Sequence, residues 1–582
     1  MKKIITMLIA LAMVSVLAVS LVGCGAPEDP GAEISVYLGD QVFDFDPTDY
    51  YVDSNADQVM SLLYEPLFKL DEDGDLEYGV AKKYKIDEEQ RQIVIELRDT
   101  YWSDEISVKA ADYIYAWRDV ILEPNNPNPA AALFYDIENA VAVKSGQASL
   151  YSFGAVASDI YEITITYREG ADCDRLLKNL ASVATSPLRE DVVSSAKTHW
   201  SKSITTIVTN GPFKIESIDE SKGEFTLARN LGYHQKPAVE DYDDNVIPAS
   251  LKSVFSIEGS PVELTYADIE NKTVFCMSEA TLEDRAANKS KATVYDDLST
   301  YTYVFNTTNP LFAIKEVRQA LSLVLDRETI ANAVSFGTAA NGLLSNPVAG
   351  SIYGDNISNR IEITAKKAEA EQLLSSVDFT GISKSFTLTV NNDEVSLAIA
   401  ELAKAAWESI GFNVTVNAVS TVKNSVIDTM SNEPITVVDS AIQNLVKEAS
   451  YGNYNFDVIA VDWQFYTDDA FVALSAFSSH MNGNGVDFKT GVSRKCIAGW
   501  WSSAYDNLIN EAFLAKTAEA KAAALKAAEA LLLDACPVIP VLYGQTFVFI
   551  SGELSEVVAD GLGNLVFTEA ELKNYHDYLD EE

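Results

Sequence analysis

Three consecutive segments constrain the fold most. Phe386-Thr387-Leu388-Thr389-Val390 alternates as a strand, Val395–Ile410 repeats at helical spacing, and Phe412, Val414, Val416 and Ala418 alternate again. Gly411 sits between the second and third, where a helix C-terminal cap favours glycine. Strand, helix and strand so closely spaced predict a βαβ unit, two parallel strands with a right-handed crossover, and hence an α/β fold. Farther along, Phe456–Val461 predicts another short apolar strand, followed by the aromatic and acidic run Trp463-Gln464-Phe465-Tyr466-Thr467-Asp468-Asp469. Ligands of open α/β sheets collect where strands end, so Trp463, Gln464, Tyr466, Asp468 and Asp469 are candidate ligand residues. A second role stays open for the aromatics, which would equally serve to cap the core.

Elsewhere the punctuation is clear. Gln92–Leu97 predicts a strand that turns through Tyr101-Trp102-Ser103-Asp104 into a helix near Ala110–Ile121. The cluster Pro124-Asn125-Asn126-Pro127-Asn128-Pro129 ends that helix. Asp71, Asp73 and Asp75 alternate like the start of a calcium loop, but Leu76 stands where such a loop needs glycine. A hairpin turn around Gly74 is expected instead.

No catalytic signature is present. The chain lacks a GxSxG elbow, an HExxH pair and a phosphate-binding GxxxxGKS/T loop. Cys173, Cys276, Cys496 and Cys536 are scattered without a CxxC pair, and the four histidines are dispersed too. Buried free thiols are expected, and no metal or other cofactor. An enzyme is therefore not expected.

At the amino end, Lys2-Lys3 precede an apolar run to Val22, and Gly23-Cys24 follow. This resembles a bacterial lipoprotein signal: residues 1–23 would be removed and Cys24 would carry the lipid. The rival reading is a single membrane-spanning anchor, since the run is nearly long enough. The small residue before Cys24 and the loose Gly25–Gly31 favour cleavage. Either way, the body is expected outside the cytoplasm, on the outer face of a bacterial cytoplasmic membrane. With 43 basic and 86 acidic residues, the chain repels phosphate backbones and anionic lipid heads. Nucleic acid is thus excluded as a partner, and attachment to the membrane falls to the tether.

A family resemblance is carried by blocks spread along the chain. They are Leu63-Tyr64-Glu65-Pro66-Leu67, Leu97-Arg98 with Trp102-Ser103-Asp104, Ala111-Asp112 through Trp117, and Asn210-Gly211-Pro212-Phe213. Val317-Arg318-Gln319-Ala320-Leu321 with Asp326-Arg327, Trp407–Phe412, Tyr505-Asp506 through Glu529, and Pro537–Pro540 continue the series. In this order they resemble the peptide-type solute-binding proteins of ABC importers, family 5. The resemblance implies a two-lobed clamp of the periplasmic-binding-protein type (type II, cluster C) that closes on a peptide or other extended solute and delivers it to permease subunits. A monomer is expected. Lobe one would comprise 34–62, an inserted subdomain over 63–184, then 185–302 and 540–582; lobe two would be 303–539, and 24–33 a flexible tether. Crossings between lobes are expected near Tyr301–Asn306 and Val538–Leu542, with Tyr301 and Tyr303 able either to border the cleft or to pack across the hinge.

One departure bears on the ligand. Peptide binders of this family carry an aspartate for the ligand's α-ammonium three residues after the tryptophan, and a proline farther on. Here Tyr466 and Ala470 stand at those positions. A phenol is no charge partner near neutral pH. Either Asp468 or Asp469 takes over, or the ligand does not present a free amino terminus here; a non-peptide solute, an oligosaccharide or metal chelate, is the alternative.

Overall fold

Two long strands in the middle of one sheet organise the molecule. The computed structural model describes residues 33–574, apart from 40, 50–55, 197–198, 220, 236–244, 247–249, 255–261, 263, 355–356, 428–433 and 488; Cys24 lies outside the described residues. Among these residues, eleven strands share a sheet. Its order is Asn413–Val419, Ser385–Asn391, Val458–Gln464, Thr293–Phe305, Val538–Ile550, Cys276–Met277, Glu33–Tyr37, Ser250–Val254, Glu224–Arg229 and Phe213–Asp219, and Thr338–Ala339 pairs with Val538–Ile550 off this path. Two half-sheets thus meet at one antiparallel pair, Thr293–Phe305 against Val538–Ile550.

The expected βαβ unit is present. Ser385–Asn391 and Asn413–Val419 pair in parallel, joined by the helix Glu394–Glu408. Asp393 caps that helix by accepting from the Ser396 amide at 2.7 Å, and Gly411 beyond its end has φ +93°. The fully buried Trp407 donates its Nε1 to the Leu321 carbonyl at 2.9 Å, which pins the helix to its neighbours. One boundary moves: the strand expected to stop at Val461 runs on to Gln464. Pairing with Thr293–Phe305 carries it through Trp463↔Thr300 and Gln464↔Ser299. Trp463 and Gln464 therefore belong to the sheet and not to the loop.

A separate four-stranded antiparallel sheet uses Ala81–Asp87, Gln92–Leu97, Glu162–Thr166 and Ala155–Asp159. The Asp71–Asp75 turn joins Phe68–Leu70 to Leu76–Tyr78; Gly74 has φ +76°, and Asp71 Oδ1 accepts from the amides of Asp73 and Asp75. The helix over Ala110–Ile121 is α-helical to Ile114 and widens into π-type turns from Tyr115. Beyond it, the buried Lys144 ammonium donates to the carbonyls of Ile121, Glu123 and Asn126 at 2.6, 3.1 and 2.5 Å, so the Pro/Asn cluster is held as well as punctuated.

One apolar core, with Phe305, Phe312, Trp407 and Ile539, fills the half-sheet around 385–464. A larger one joins Leu63 and Trp117 to Trp463, Phe471 and Leu525, so apolar contact is continuous from one half to the other. Cys276, Cys496 and Cys536 are buried free thiols and Cys173 is half-buried. Among the described residues no helix is long and apolar enough to cross a membrane.

Candidate ligand site

The two half-sheets come together around Gln464. Its Nε2 donates to Asp57 Oδ2 at 3.1 Å and to Asp297 Oδ1 at 3.2 Å. Three chain segments supply this cluster: Asp57 stands in the first turn of the helix Ala56–Leu63, Gln464 ends its strand, and Asp297 lies on the long strand Thr293–Phe305. Asp297 is aimed there by an irregularity in that strand. Pairing with Val538–Ile550 skips from Asp296↔Gln545 to Thr300↔Tyr543, so Asp297, Leu298 and Ser299 together face Gly544. A Cβ on Gly544 would lie 2.0 Å from Ser299 Oγ, so any larger residue there would force the Ser299 side chain to move. Ser299 Oγ donates to Asp297 Oδ2 at 3.3 Å. Burial pushes the Asp297 carboxyl up, against the lowering effect of its hydrogen bonds from Gln464, the Leu298 amide and Ser299. Gln464 is 3% exposed, and its Oε1 has no hydrogen-bond partner among the described residues.

The acidic loop is committed to protein. Asp468 pairs with Arg175, and Thr467 Oγ1 donates to Asn179 Oδ1 at 3.1 Å. Asp469 caps the short helix Ala470–Ser475 by accepting from the Phe471 amide at 2.9 Å. It also accepts from Asn179 Nδ2 at 3.3 Å, and Lys521 Nζ lies 3.9 Å away. Burial alone would raise the Asp469 carboxyl, but Lys521 and Arg175 hold it below the usual range. Both candidate carboxylates thus fasten this loop to the helix Cys173–Asn179.

The aromatic candidates are packed side chains. Trp463 is 5% exposed with its ring 5.0 Å from Phe477, and Tyr466 is buried in the same core. Tyr303 is fully buried, edge-on to Trp407 at 5.2 Å; Tyr301 lies 5.9 Å from Tyr303 and pairs across the sheet with Asp462.

A second set of contacts joins the halves at their rim. Lys447 Nζ lies 3.2 Å from Asp49 Oδ2, and Gln443 Nε2 donates to the Asp49 carbonyl at 2.8 Å. Lys202 sits 3.0 Å from Asp44 Oδ2 and also pairs with Asp439. Burial would raise Asp44, but Lys202 and Lys447 hold it low. Burial together with Asp44 and Asp49 pushes Asp46 up to about 7. With the Gln464 cluster, these contacts tie residues 44–57 and 202 to residues 439–464. A surface cleft of about 420 Å³ against Lys69, Arg98 and His234 lies apart from them, next to the buried Glu65, whose Oε2 is 2.6 Å from His234 Nε2.

Asp57 and Asp297, which the structure brings to Gln464, are not picked out by reading the sequence. A signal existed for one of them: Asp296-Asp297 breaks an otherwise strand-like run with two consecutive carboxylates.

Residues 75–485 match the model of the bacterial extracellular solute-binding proteins, family 5. Oligopeptide-binding protein OppA of Bacillus subtilis is 23% identical over 530 residues, covering 90% of this chain and 89% of that protein. Haemophilus influenzae OppA in complex with the peptide RPPGFSPFR superposes with a TM-score of 0.73 at 19% identity, covering 94% of this chain and 99% of that one. The unliganded open form of the Escherichia coli murein tripeptide binding protein MppA gives a lower TM-score of 0.52 at 20% identity, with 93% and 98% covered. The fold is therefore the two-lobed, type II clamp. Matched over most of its length by that family model, the chain belongs to the bacterial extracellular solute-binding proteins of family 5.

Proposed function

We propose that this solute-binding protein, which is not an enzyme, captures peptides between its lobes outside the cytoplasm and hands them to an ABC permease. One observation carries the reading: polar groups from both lobes, Asp57 and Gln464 with Asp297 between them, converge where the clamp shuts. Buried polar groups held between two moving bodies are expensive unless a ligand completes them. Ligand then shifts an open–closed equilibrium by binding the closed form better. The lobe division at 303 and 539 and the insert over 63–184 belong to this reading, as does a monomer. So does a lipid on Cys24 that keeps the protein beside its permease. The test is mass spectrometry of solutes co-purifying with the protein, combined with small-angle scattering before and after their return. Intact peptides and a smaller radius of gyration on binding are expected. Cleaved peptides would point back to an enzyme. For the anchor, wild type should incorporate labelled fatty acid and Cys24→Ala should not.

A non-peptide solute remains the second reading, favoured by Tyr466 at the position of the family's ammonium-binding aspartate. An oligosaccharide or chelate co-purifying in place of peptides would decide for it.

A further inference from the structure

The cleft beside the buried Glu65 holds one charge that the protein leaves unmatched. Lys69, Glu77, Tyr78, Arg98 and His234 line its volume of about 420 Å³, which is within the range of small-molecule sites. Most of its charges have partners. Glu65 lies 3.4 Å from Lys69 Nζ and 2.6 Å from His234 Nε2. Burial would raise the Glu65 carboxyl, but Lys69 and His234 hold it below the usual range. Glu77 stands directly opposite Lys69 in the hairpin of Phe68–Leu70 and Leu76–Tyr78. Arg98 is different. Its Nε donates to the Ala81 carbonyl at 3.2 Å, which fixes the guanidinium head. Among the described residues neither of its Nη groups donates to the protein, and no carboxylate pairs with it.

We propose that this cleft is an accessory binding site for a small solute carrying an oxyanion, carboxylate or phosphate, on a flat apolar body. The two Nη groups of Arg98 form a planar fork that matches two oxygens of such a group. Tyr78 supplies the surface for the body. Its ring is 42% exposed, and Phe68 and Tyr84 support it with ring centres 6.2 and 6.0 Å away. His234 is the fixed part of the wall: its side chain is 6% exposed, its ring lies 4.4 Å from that of Tyr233, and Glu65 takes its Nε2. That leaves Nδ1 without a hydrogen-bond partner among the described residues, free for a bound molecule. With 43 basic and 86 acidic residues the chain repels anions at long range, so such a site selects through its local fork and not by steering. The cleft shares no residue with the Gln464 cluster or with the loop 467–469, so the site stands independently of the peptide reading.

The experiment is titration of the full mature chain with benzoate, phenyl phosphate and the neutral benzamide, followed by ligand-observed NMR and calorimetry. Wild type should bind at least one of the two anions with a Kd of about 1 mM or tighter, and about tenfold more tightly than benzamide. Arg98→Gln removes the charge and the fork and should erase that margin. Lys85→Gln, at an exposed lysine of the strand Ala81–Asp87, should keep it. Tyr78→Ser should weaken both anions about fivefold, and this exposed position keeps the test open if Arg98→Gln fails to fold. A preference for phenyl phosphate or for benzoate upholds the site in either case and names the group it takes. Three results would overturn it: equal binding of benzamide and the anions, no binding of either anion at about 10 mM, or an Arg98→Gln variant that binds them as wild type does.

Discussion

Lys447 and Asp49, 398 positions apart in sequence, form an ion pair at 3.2 Å across the mouth of the clamp. Asp49 holds the Lys447 ammonium above its usual range, and the Asp49 carbonyl takes a second bond from Gln443. On the proposed lobe division the pair joins lobe one to lobe two, so opening the clamp would break it.

Lys447→Met should therefore favour the open form. The lysine side chain is half-exposed, which limits the pair to about 1 kcal/mol or a fivefold change in the closed-to-open ratio. Raising salt should mimic the substitution in wild type and add little in the variant. Interlobe fluorescence transfer measured at low and high salt reads both effects; an equal salt response in the two proteins would remove the latch.

Asp46 gives a pH signature. Its carboxyl titrates at about 7 in the folded chain and near 4 when unfolded. Between these values the folded state holds the extra proton, so this group makes stability fall as pH rises from about 4 to about 7, and adds no slope above. Asp46→Asn keeps an acceptor for the Thr48 amide and removes the proton. Its melting temperature should gain on wild type progressively across that interval. Depressed carboxyls such as Asp44, Glu65 and Asp469 give the opposite slope, so the difference between the two proteins is the readout. Parallel curves would exclude Asp46.

Gly485 packs closely against the Pro/Asn loop. Its φ is +65°, and a Cβ there would fall 1.9 Å from the Pro124 carbonyl oxygen, which accepts from the Val486 amide at 2.9 Å. Gly485→Ala should cost about 2 kcal/mol or more in urea unfolding. Gly491→Ala is the control: φ is +68° but nothing lies within 4 Å of the added carbon, so backbone strain of about 1 kcal/mol is all it should show. Equal losses would mean that the Pro124 contact is not formed.

Trp463 separates packing from recognition. Buried against Phe477, its truncation to Ala should lower the stability of ligand-free protein by about 3 kcal/mol or more, with Trp463→Phe recovering much of that. A ligand-free protein of unchanged stability and weakened solute affinity would instead assign the ring to the ligand.

What was legible in the sequence follows from the range of the interactions. The βαβ unit, the Gly74 turn and the end of the helix at the Pro/Asn cluster depend on local periodicity and local caps, and each stands where the residues indicate. The end of the strand at Gln464 did not read correctly because Asp462 and Gln464 look like loop. Pairing with a strand some 160 residues earlier overrides that polarity. Asp469, a candidate ligand charge in the sequence, caps a helix in the structure, and one carboxylate beside a turn advertises both roles equally well. The Asp57–Gln464–Asp297 cluster was out of reach. Its members are 407 and 167 positions apart, and no periodicity records such a meeting.

The place of Val538–Ile550 has a consequence for how the chain is made. This late strand lies between Thr293–Phe305 and Cys276–Met277, and the earliest strand, Glu33–Tyr37, pairs with Ser250–Val254 and Cys276–Met277. Neither half can be sealed to the other until nearly the whole polypeptide has emerged. Such non-local pairing folds slowly, and the waiting sheet edges invite association with other chains. A nascent or prematurely terminated chain that stops before 538 therefore presents two unsatisfied edges at once. Biosynthesis, more than the finished clamp, is where this topology is most vulnerable.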